Sequence, residues 1–493
     1  MSVPDSQRET ASLLQSLAGS APIETHISLV FLGHDTVWKL KKAVRLSFLD
    51  FTRVEDRRRF AKRELALNAA AAAGLYRDVV AVVRRPDGTL ALEPGATSAV
   101  DWVLRMARVP AGDFLDVMAA EGKLGPTQQD ALADAVFVYH AALPPAEGVL
   151  PPIRDVALGN TRAALAAGLP EREITAWQTA ISGHIDRLTP WMTQRARDGF
   201  VRRAHGDLHL GNICLWEGRP VPFDALEFDE SLATIDLGYD LAFLLMDLDR
   251  RVNRAAANRV LNRTIARGGD VGLLRGLPVF LSLRSMIRAH VEARSGHAGP
   301  AAGYLAAAGT YLAPPPPTLL AIGGLPGTGK STLARSLAPD LGAAPGAVIL
   351  RSDEIRKRRY GVAPEQPLPP EAYADDVNSA VFETLLAAAG EAIASGHAVI
   401  ADATFLDPLY RARLADVAAA HHVPFHGFWL QTPLPLLEAR VAARRGDASD
   451  ASVEVLRAAA RHDPGAGHWH AIDATNAGSA LCAVHAAFAG TPA

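Results

Sequence analysis

The sequence predicts two domains of different class: a two-lobed α+β domain, then an α/β domain wound around a parallel sheet. Three observations predict this. The first is GGLPGTGKST, Gly323 to Thr332, which lies between an apolar run (TLLAIG) and a helical one (LARSLAPDLG). Strand, glycine-rich loop and helix in that order are the unit from which parallel sheets are built. The second is the N-terminal stretch of roughly 110 residues, where short alternating runs broken by turn residues surround one helical segment before the chain turns mostly helical. The third is Pro314–Pro317. Four consecutive prolines cannot continue a helix and favour a stiff, extended linker. The expected organisation is therefore 1–312, a proline linker at 313–317, and 318–493, in a chain of 493 residues with room for two or three domains.

Composition narrows the function classes. Hydrophobic residues make up 49% and charged residues 21%, with a net charge of −3, so sizeable cores are available and general nucleic-acid or membrane-surface binding is disfavoured. The two cysteines, Cys214 and Cys482, form no disulfide framework or zinc cluster. The polar N-terminus carries no signal-like apolar region, and no uninterrupted apolar run reaches the ~18 residues of a membrane span. A cytoplasmic protein is the simple expectation.

The Gly323–Thr332 stretch fits G-x-x-x-x-G-K-[ST], with Gly324, Gly329, Lys330 and Ser331 in the fixed positions. Gly324, Gly327 and Gly329 let the backbone turn tightly, so that N–H groups, including those of Thr328 and Thr332, converge on phosphate oxygens. The helix after Gly329 directs its positive end at the same anion. Lys330 is placed for the β- and γ-phosphates, and Ser331 for Mg²⁺.

The N-terminal elements follow from periodicity. HISLVFLG and VWKLKKAVRL pair across Gly33–Asp35, with Lys39 and Lys41 on one face. Arg53 to Ala73 is strongly helical and contains Glu64. Val79 to Pro94 forms a hairpin turning at Pro86–Gly88, followed by a strand to about Val109. Further on, His205-Gly206-Asp207 precedes Asn212 by the spacing of a catalytic loop, and Asp224 follows on the next strand. In this arrangement Asp207 accepts the proton of an attacking hydroxyl, while Asn212 and Asp224 hold metal.

These motifs, with Asp236 and Asp240 in IDLGYDLA, resemble the aminoglycoside phosphotransferase-like kinases over residues 1–312. The resemblance implies a protein-kinase-like fold that uses ATP and Mg²⁺. It also implies a strand lysine paired with a helix glutamate: Lys39 and Glu64, with Lys41 as the competing lysine. Asp236 and Asp240 would brace the catalytic loop. FLGHDTVW departs from the family in having a single glycine where a Gly-rich phosphate cover is usual. Glu227 is an extra carboxylate placed for substrate or metal, and Asp229 and Glu230 are further carboxylates for an amine-bearing ligand. The competing reading makes the lysines ordinary strand residues and the domain a non-catalytic nucleotide binder. His209 reads as a loop-packing histidine and Cys214 as a small buried hydrophobe.

In the C-terminal part, AVILRSDEIRKRR delivers Asp353 at a strand end, as general base or as a helix cap, with Arg356 placed for an anionic substrate. Asp402 and Thr404 close the next strand, HAVIADATF, with Asp402 as the Mg²⁺ carboxylate. Arg440, Arg444 and Arg445 precede an Asp/Ser loop that can close over phosphate. The run Arg356–Arg359 is a solvated face or, alternatively, a nucleic-acid patch. This part resembles P-loop small-molecule kinases such as gluconate kinase, zeta-toxin-type kinases and polynucleotide 5′-kinase. That resemblance implies Asp353 as base and Arg444 or Arg445 as lid arginine.

The whole chain resembles bacterial bifunctional proteins that join the two kinds of module. The expectation is a tandem phosphotransferase with two ATP/Mg²⁺ sites acting on small-molecule hydroxyls. The alternatives are a nucleotide-regulated ATPase whose N-terminal half only binds, and a nucleic-acid or nucleotide-sugar kinase in the C-terminal half.

Overall fold

The computed structural model describes residues 3–46, 49–462 and 469–489. The chain forms two compact units, Met1–Pro152 with Pro190–Leu244, and Ile153–Thr189 with Leu245–Ala493.

The first unit opens with helix α1 (Arg8–Ala18) and strands β1 (Ile23–Glu24), β2 (Ser28–Leu32) and β3 (Thr36–Lys41). Helix α2 (Val54–Asn68) follows, then β4 (Tyr76–Arg84), β5 (Leu90–Glu93) and β6 (Asp101–Ala107). The six strands form one sheet in the order β1-β2-β3-β6-β4-β5, antiparallel throughout. Alternation along β3 decides what each face does. Leu40 is buried with Leu29, Phe31, Val82 and Val103 beneath Leu14 of α1. Val37, Lys39 and Lys41 point the other way, where α2 lies against β4 and β6. Straight-chain residues and an acidic first turn, Glu55 and Asp56, favour α2 as a helix.

The rest of this unit is largely helical: α3 (Leu115–Ala120), α4 (Pro126–Ala142) and the last turns of α6, defined below. Between helices sit the short strands β7 (Val201–Arg203), β8 (Ile213–Trp216), β9 (Arg219–Pro222) and β10 (Thr234–Asp236). β8 and β9 pair antiparallel, as do β7 and β10. This unit is α+β, an antiparallel sheet with one helix against it followed by a largely helical part.

The division between units passes through α6 (Glu171–Arg197) and α7 (Leu237–Arg251). The second unit adds α5 (Ile153–Ala166), α8 (Arg254–Gly268), α9 (Leu277–Arg294) and α10 (Ala298–Tyr311). Its sheet contains β11 (Leu319–Gly324), β12 (Val348–Arg351), β13 (Val399–Asp402), β14 (Phe425–Gln431) and β15 (His470–Asp473). All five are parallel, in the order β12-β13-β11-β14-β15. Around them run α11 (Lys330–Leu337), α12 (Ser352–Arg359), α13 (Asp375–Ala394), α14 (Pro408–Ala420), α15 (Leu434–Ala443), α16 (Val453–Ala459) and α17 (Ala477–Ala489). Leu320, Ile322, Ile400, Phe428 and Leu430 form the core with Leu333, Leu337 and Val484.

Pro314–Pro316 are exposed and without regular structure, yet the proline run lies inside the second unit. The reason is a helix. Strand β12 is a sheet edge, and α8 covers it with two asparagines. Asn258 Nδ2 donates to Ala347 O at 3.0 Å, and Asn262 Oδ1 accepts from the Ile349 N–H at 2.6 Å. Unpaired edge groups thus find side-chain partners.

Helix α13 is long and apolar enough, by length and composition, to cross a membrane, which the search for uninterrupted apolar runs overlooked. One face of it packs against α12, α14, β12 and β13, with Val381, Leu385, Leu386, Ala389 and Ile393 buried.

Candidate active sites

In the first unit, β3 delivers both lysines to the same glutamate. Lys39 Nζ lies 2.7 Å from Glu64 Oε1 and 2.5 Å from Asp224 Oδ1. Lys41 Nζ lies 2.7 Å from Glu64 Oε2, and its other partner is Glu227. Both lysines, though strand residues, are thus tied into one charge network. Burial alone would depress both ammonium groups. Asp224 and Glu64 outweigh it at Lys39, as Glu64 and Glu227 do at Lys41, so both pKa values stand above the ordinary lysine value. Glu64 has no exposed surface, so removing it would leave each lysine with a single carboxylate partner, Asp224 for Lys39 and Glu227 for Lys41.

Asp224 adopts φ = +61°, a left-handed conformation that costs a non-glycine residue about 1 kcal/mol or more. Its neighbours hold it there. The Asp224 N–H donates to Tyr76 Oη at 3.0 Å and the Ala225 N–H to Asn68 Oδ1 at 3.0 Å. Asn68 in turn donates to Glu64 O. Asp224 and the lysine-pairing Glu64 are therefore both held from the same helix, α2.

His205, Asp207 and Asn212 sit in the segment between β7 and β8. Asn212 Nδ2 donates to both Asp207 O and Asp207 Oδ2, each at 2.9 Å, which leaves its Oδ1 as the acceptor for a cation. Asp240 accepts from the backbone N–H groups of His205 (3.2 Å) and Gly206 (2.9 Å), and from His140 Nε2 it is 2.9 Å away. Gly206, at φ = +83°, has Leu226 Cβ 3.1 Å from where its own Cβ would be, so a larger residue is excluded. Asp236 is engaged differently. It pairs with Arg195 at 2.6 Å and accepts from the Gly238 N–H at 2.7 Å, so its partners are Arg195 and the start of α7 and do not include the catalytic loop. Glu230 pairs with Arg63 and Arg203, and Asp229 caps the turn Glu230–Ala233. His209 packs edge-on against Phe243 and also lies 3.5 Å from Asp207 Oδ2. Cys214 is buried, its thiol pushed up to about 12 by desolvation.

In the second unit, the phosphate loop joins β11 to α11. Gly324, Gly327 and Gly329 all take positive φ, and a Cβ on Gly324 would lie 2.7 Å from Leu430 O. Thr328 closes the loop through Oγ1 to Leu325 O at 2.8 Å. Lys330 folds back onto the loop carbonyls of Gly324 (2.9 Å) and Leu325 (3.1 Å), and burial lowers its pKa. Ser331 Oγ donates to Asp402 Oδ2 at 2.6 Å. A hydroxyl and a carboxylate in contact beside a phosphate loop are the donor set that suits Mg²⁺. Among the described residues no group of three or more His, Cys, Asp or Glu is assembled for a metal, which a Mg²⁺ held largely by phosphates does not require.

Lys330, Ser331, Thr332, Asp353, Asp402, Thr404, Arg440 and Arg444 line one cleft of about 1620 Å³. Burial raises the Asp353 carboxyl above its ordinary value against the pull of Arg351. Asp353 lies in the first turn of α12, and the residue preceding that helix makes no side-chain cap. Arg444 lines the cleft and donates to Ala451 O at 2.7 Å. Arg445 is exposed, donates to Ala442 O and Arg444 O, and is not part of the lining. Arg440 donates to Ala474 O (3.1 Å) and Thr475 O (2.7 Å), after β15, and to Gly327 O of the phosphate loop (3.4 Å).

The basic run is mostly internal. Arg356 donates to Ala372 O (2.6 Å) and Asn378 Oδ1 (2.7 Å) and lies over the Tyr373 ring. Lys357 is buried against Asp450 at 2.5 Å. Arg358 donates to the carbonyl of Ala266 at the end of α8. A buried arginine and lysine are neither a solvated face nor a nucleic-acid patch.

Sequence reasoning did not single out Arg351, which pairs with Asp402 (3.2 Å), Glu354 (3.0 Å) and Asp447 (3.1 Å). It also missed β15, a four-residue edge strand with only Ile472 buried.

Residues 319–463 match the profile of a family described as an AAA domain. The C-terminal segment is a P-loop domain. Over 472 residues the chain is 29% identical to an uncharacterized protein of Mycobacterium tuberculosis, covering 91% of each. Among solved structures, a gluconokinase from Sinorhizobium meliloti aligns at 22% identity over 36% of this chain and 98% of its own, with a TM-score of 0.25. A choline/ethanolamine kinase family protein from Mesorhizobium loti aligns at 14% identity over 62% and 95%, with a TM-score of 0.34. An aminoglycoside 2′-phosphotransferase solved with GDP aligns at 14% over 62% and 99%, with a TM-score of 0.35. The strand orders above, and not these alignments, carry the fold.

Proposed function

We propose that the chain is a tandem phosphotransferase that moves the γ-phosphate of ATP to hydroxyls of small molecules at two separate sites. The observation that supports this most strongly is that each unit assembles its own lysine, metal-type carboxylate and base carboxylate. These are Lys39, Asp224 and Asp207 in one, and Lys330, Asp402 and Asp353 in the other. We take the sequence modules to meet at 313–317, a reading supported by a family match that begins at residue 319.

At each site the acceptor oxygen bonds to the γ-phosphorus, the bond to the β-bridging oxygen breaks, and ADP leaves with that electron pair. The hydroxyl proton passes to Asp207 or Asp353. Mg²⁺, held with the phosphates by Asn212 and Asp224 or by Ser331 and Asp402, would offset charge on the transferring group. Lys330 and the backbone N–H groups after Gly324 hold the phosphates in the second unit, and Arg444 closes over them. Glu227 fixes Lys41 in the first.

Asp207→Asn and Asp353→Asn should each remove phosphotransfer to a distinct acceptor by about 10²–10⁴-fold, read as acceptor-dependent ADP release. The raised Asp353 pKa fixes the sign of the pH dependence. Rate at the second site falls as pH drops through a value raised above that of an ordinary aspartate, because the protonated base cannot accept the hydroxyl proton.

The Lys39–Asp224 ion pair favours one alternative, in which the first unit binds nucleotide without turnover. That reading predicts full turnover in Asp207→Asn.

A further inference from the structure

Resting on the reading of the cleft as a phosphotransfer site, we propose that its acceptor is a polyhydroxylated ring without an anionic group, a hexose or aminohexose. It would lie between the first turns of α13 and the segment that joins β13 to α14.

The sheet order locates the acceptor. The phosphate loop follows β11, so ATP phosphates belong at that strand's end. β13 and then β12 lie to one side of it, and Asp353 follows β12. The acceptor hydroxyl must reach Asp353 and the γ-phosphate together, which places the acceptor over the ends of β12 and β13. Helix α13 bounds that side. Asp375, Asn378, Ser379 and Phe382, spaced i, i+3, i+4 and i+7, all line the cleft. This spacing is one helix face.

The face has a platform. Phe382 stacks on Tyr410 from α14, with centroids 4.0 Å apart and planes 10° from parallel, and both rings line the cleft. A flat aromatic pair offers apolar area to the C–H face of a sugar ring while hydroxyls keep their polar partners.

The charges disfavour an anion. Asp353, Asp375 and Asp407 all line this part of the cleft. The arginines near it are committed. Arg351 is shared among Asp402, Glu354 and Asp447, and two of the Arg356 nitrogens donate to Ala372 O and Asn378 Oδ1. The remaining Arg356 Nε–H is buried, without a partner among the described residues. A carboxylate or phosphate on the acceptor would face carboxylates without a bidentate arginine to receive it.

The test uses the full chain with Asp207→Asn, so that only the second site turns over, supplied with ATP and Mg²⁺. Glucose and glucosamine are compared with gluconate, glucose 6-phosphate and UMP. The expected result is kcat/KM at least about tenfold higher for glucose or glucosamine than for each anion. Phe382→Ala, with Phe382→Leu as the milder variant should alanine unfold the helix, raises KM for both sugars by about tenfold with kcat retained. Asp375→Asn raises KM for glucosamine and leaves glucose unchanged. An anion used as well as or better than the sugars overturns the proposal and leaves phosphotransfer standing. No turnover of any acceptor while ATP still binds removes the phosphotransfer reading, and this proposal with it.

Discussion

The two candidate sites treat phosphate-binding charge in opposite ways. In the first unit the positive charge comes from side chains, and the protein neutralises it in advance. Lys39 and Lys41 lie between Glu64, Asp224 and Glu227. In the second unit the anion site is largely backbone, and its lysine rests on two carbonyls with no carboxylate in direct contact. Peptide N–H groups cost little to leave facing a cleft, whereas a buried ammonium needs a counter-charge. A side-chain phosphate site is therefore also part of the core electrostatics of its unit. A loop-built one can be emptied or filled with less effect on the fold.

Mutation of the two lysine environments breaks or sharpens that contrast. Glu64→Ala leaves two buried ammonium groups short of a partner, and the expected loss is about 3–5 kcal/mol of stability. Glu64→Gln should lose less, since it keeps the volume and one acceptor. Lys330→Ala, by contrast, should leave denaturant midpoints nearly unchanged while ATP-binding stoichiometry falls from two to one by calorimetry. Equal destabilisation by Glu64→Ala and Lys330→Ala would erase the distinction.

The same contrast explains what could be read from the chain. The P-loop was fully legible because its chemistry is backbone geometry, and glycine spacing encodes that geometry directly. The lysine–glutamate pairing was legible only as a set of candidates. Period-2 alternation put Lys39 and Lys41 on one face, but no local signal says that both reach Glu64, or that Glu227 closes the set from another part of the chain. Arg356 was legible in part for a related reason. It lines the cleft, yet no local signal says that two of its nitrogens go to Ala372 and Asn378, 16 and 22 residues away. The cover of α8 on the β12 edge was also hidden, because asparagine in a helix interior carries no mark of an edge-strand partner.

The next contrast lies within the lid. Arg444 lines the cleft and Arg445 does not, so sequence neighbours should separate in function. Arg444→Ala should lower kcat at the second site by about 10²-fold, the effect of removing one preorganised donor from developing charge. Arg445→Ala should stay within about threefold, because it donates to Ala442 O and Arg444 O of its own segment. Comparable losses from both would mean that the lid moves far enough on nucleotide binding to exchange the two side chains.

The smallest expected effect concerns the edge of the parallel sheet. Asn262 serves β12 twice, accepting from the Ile349 N–H at 2.6 Å and donating to Ala347 O at 3.2 Å. Asn262→Ala leaves a backbone donor of the strand that leads to Arg351 and Asp353 without its side-chain partner. The cost should be about 1–2 kcal/mol, the usual loss for an unmade hydrogen bond at a partly buried group. Its readout separates it from a change in catalysis. Protection of the Ile349 amide against hydrogen exchange should fall, while the acid limb of the second site's pH profile stays in place, because the charged groups that act on Asp353 are Arg351, Asp402, Lys330 and Arg356. If the acid limb shifts with the loss of amide protection, the helix that covers the strand also tunes the base at its end. The second site would then depend on residues before the proline run, and its chemistry could no longer be assigned to residues 318–493 alone.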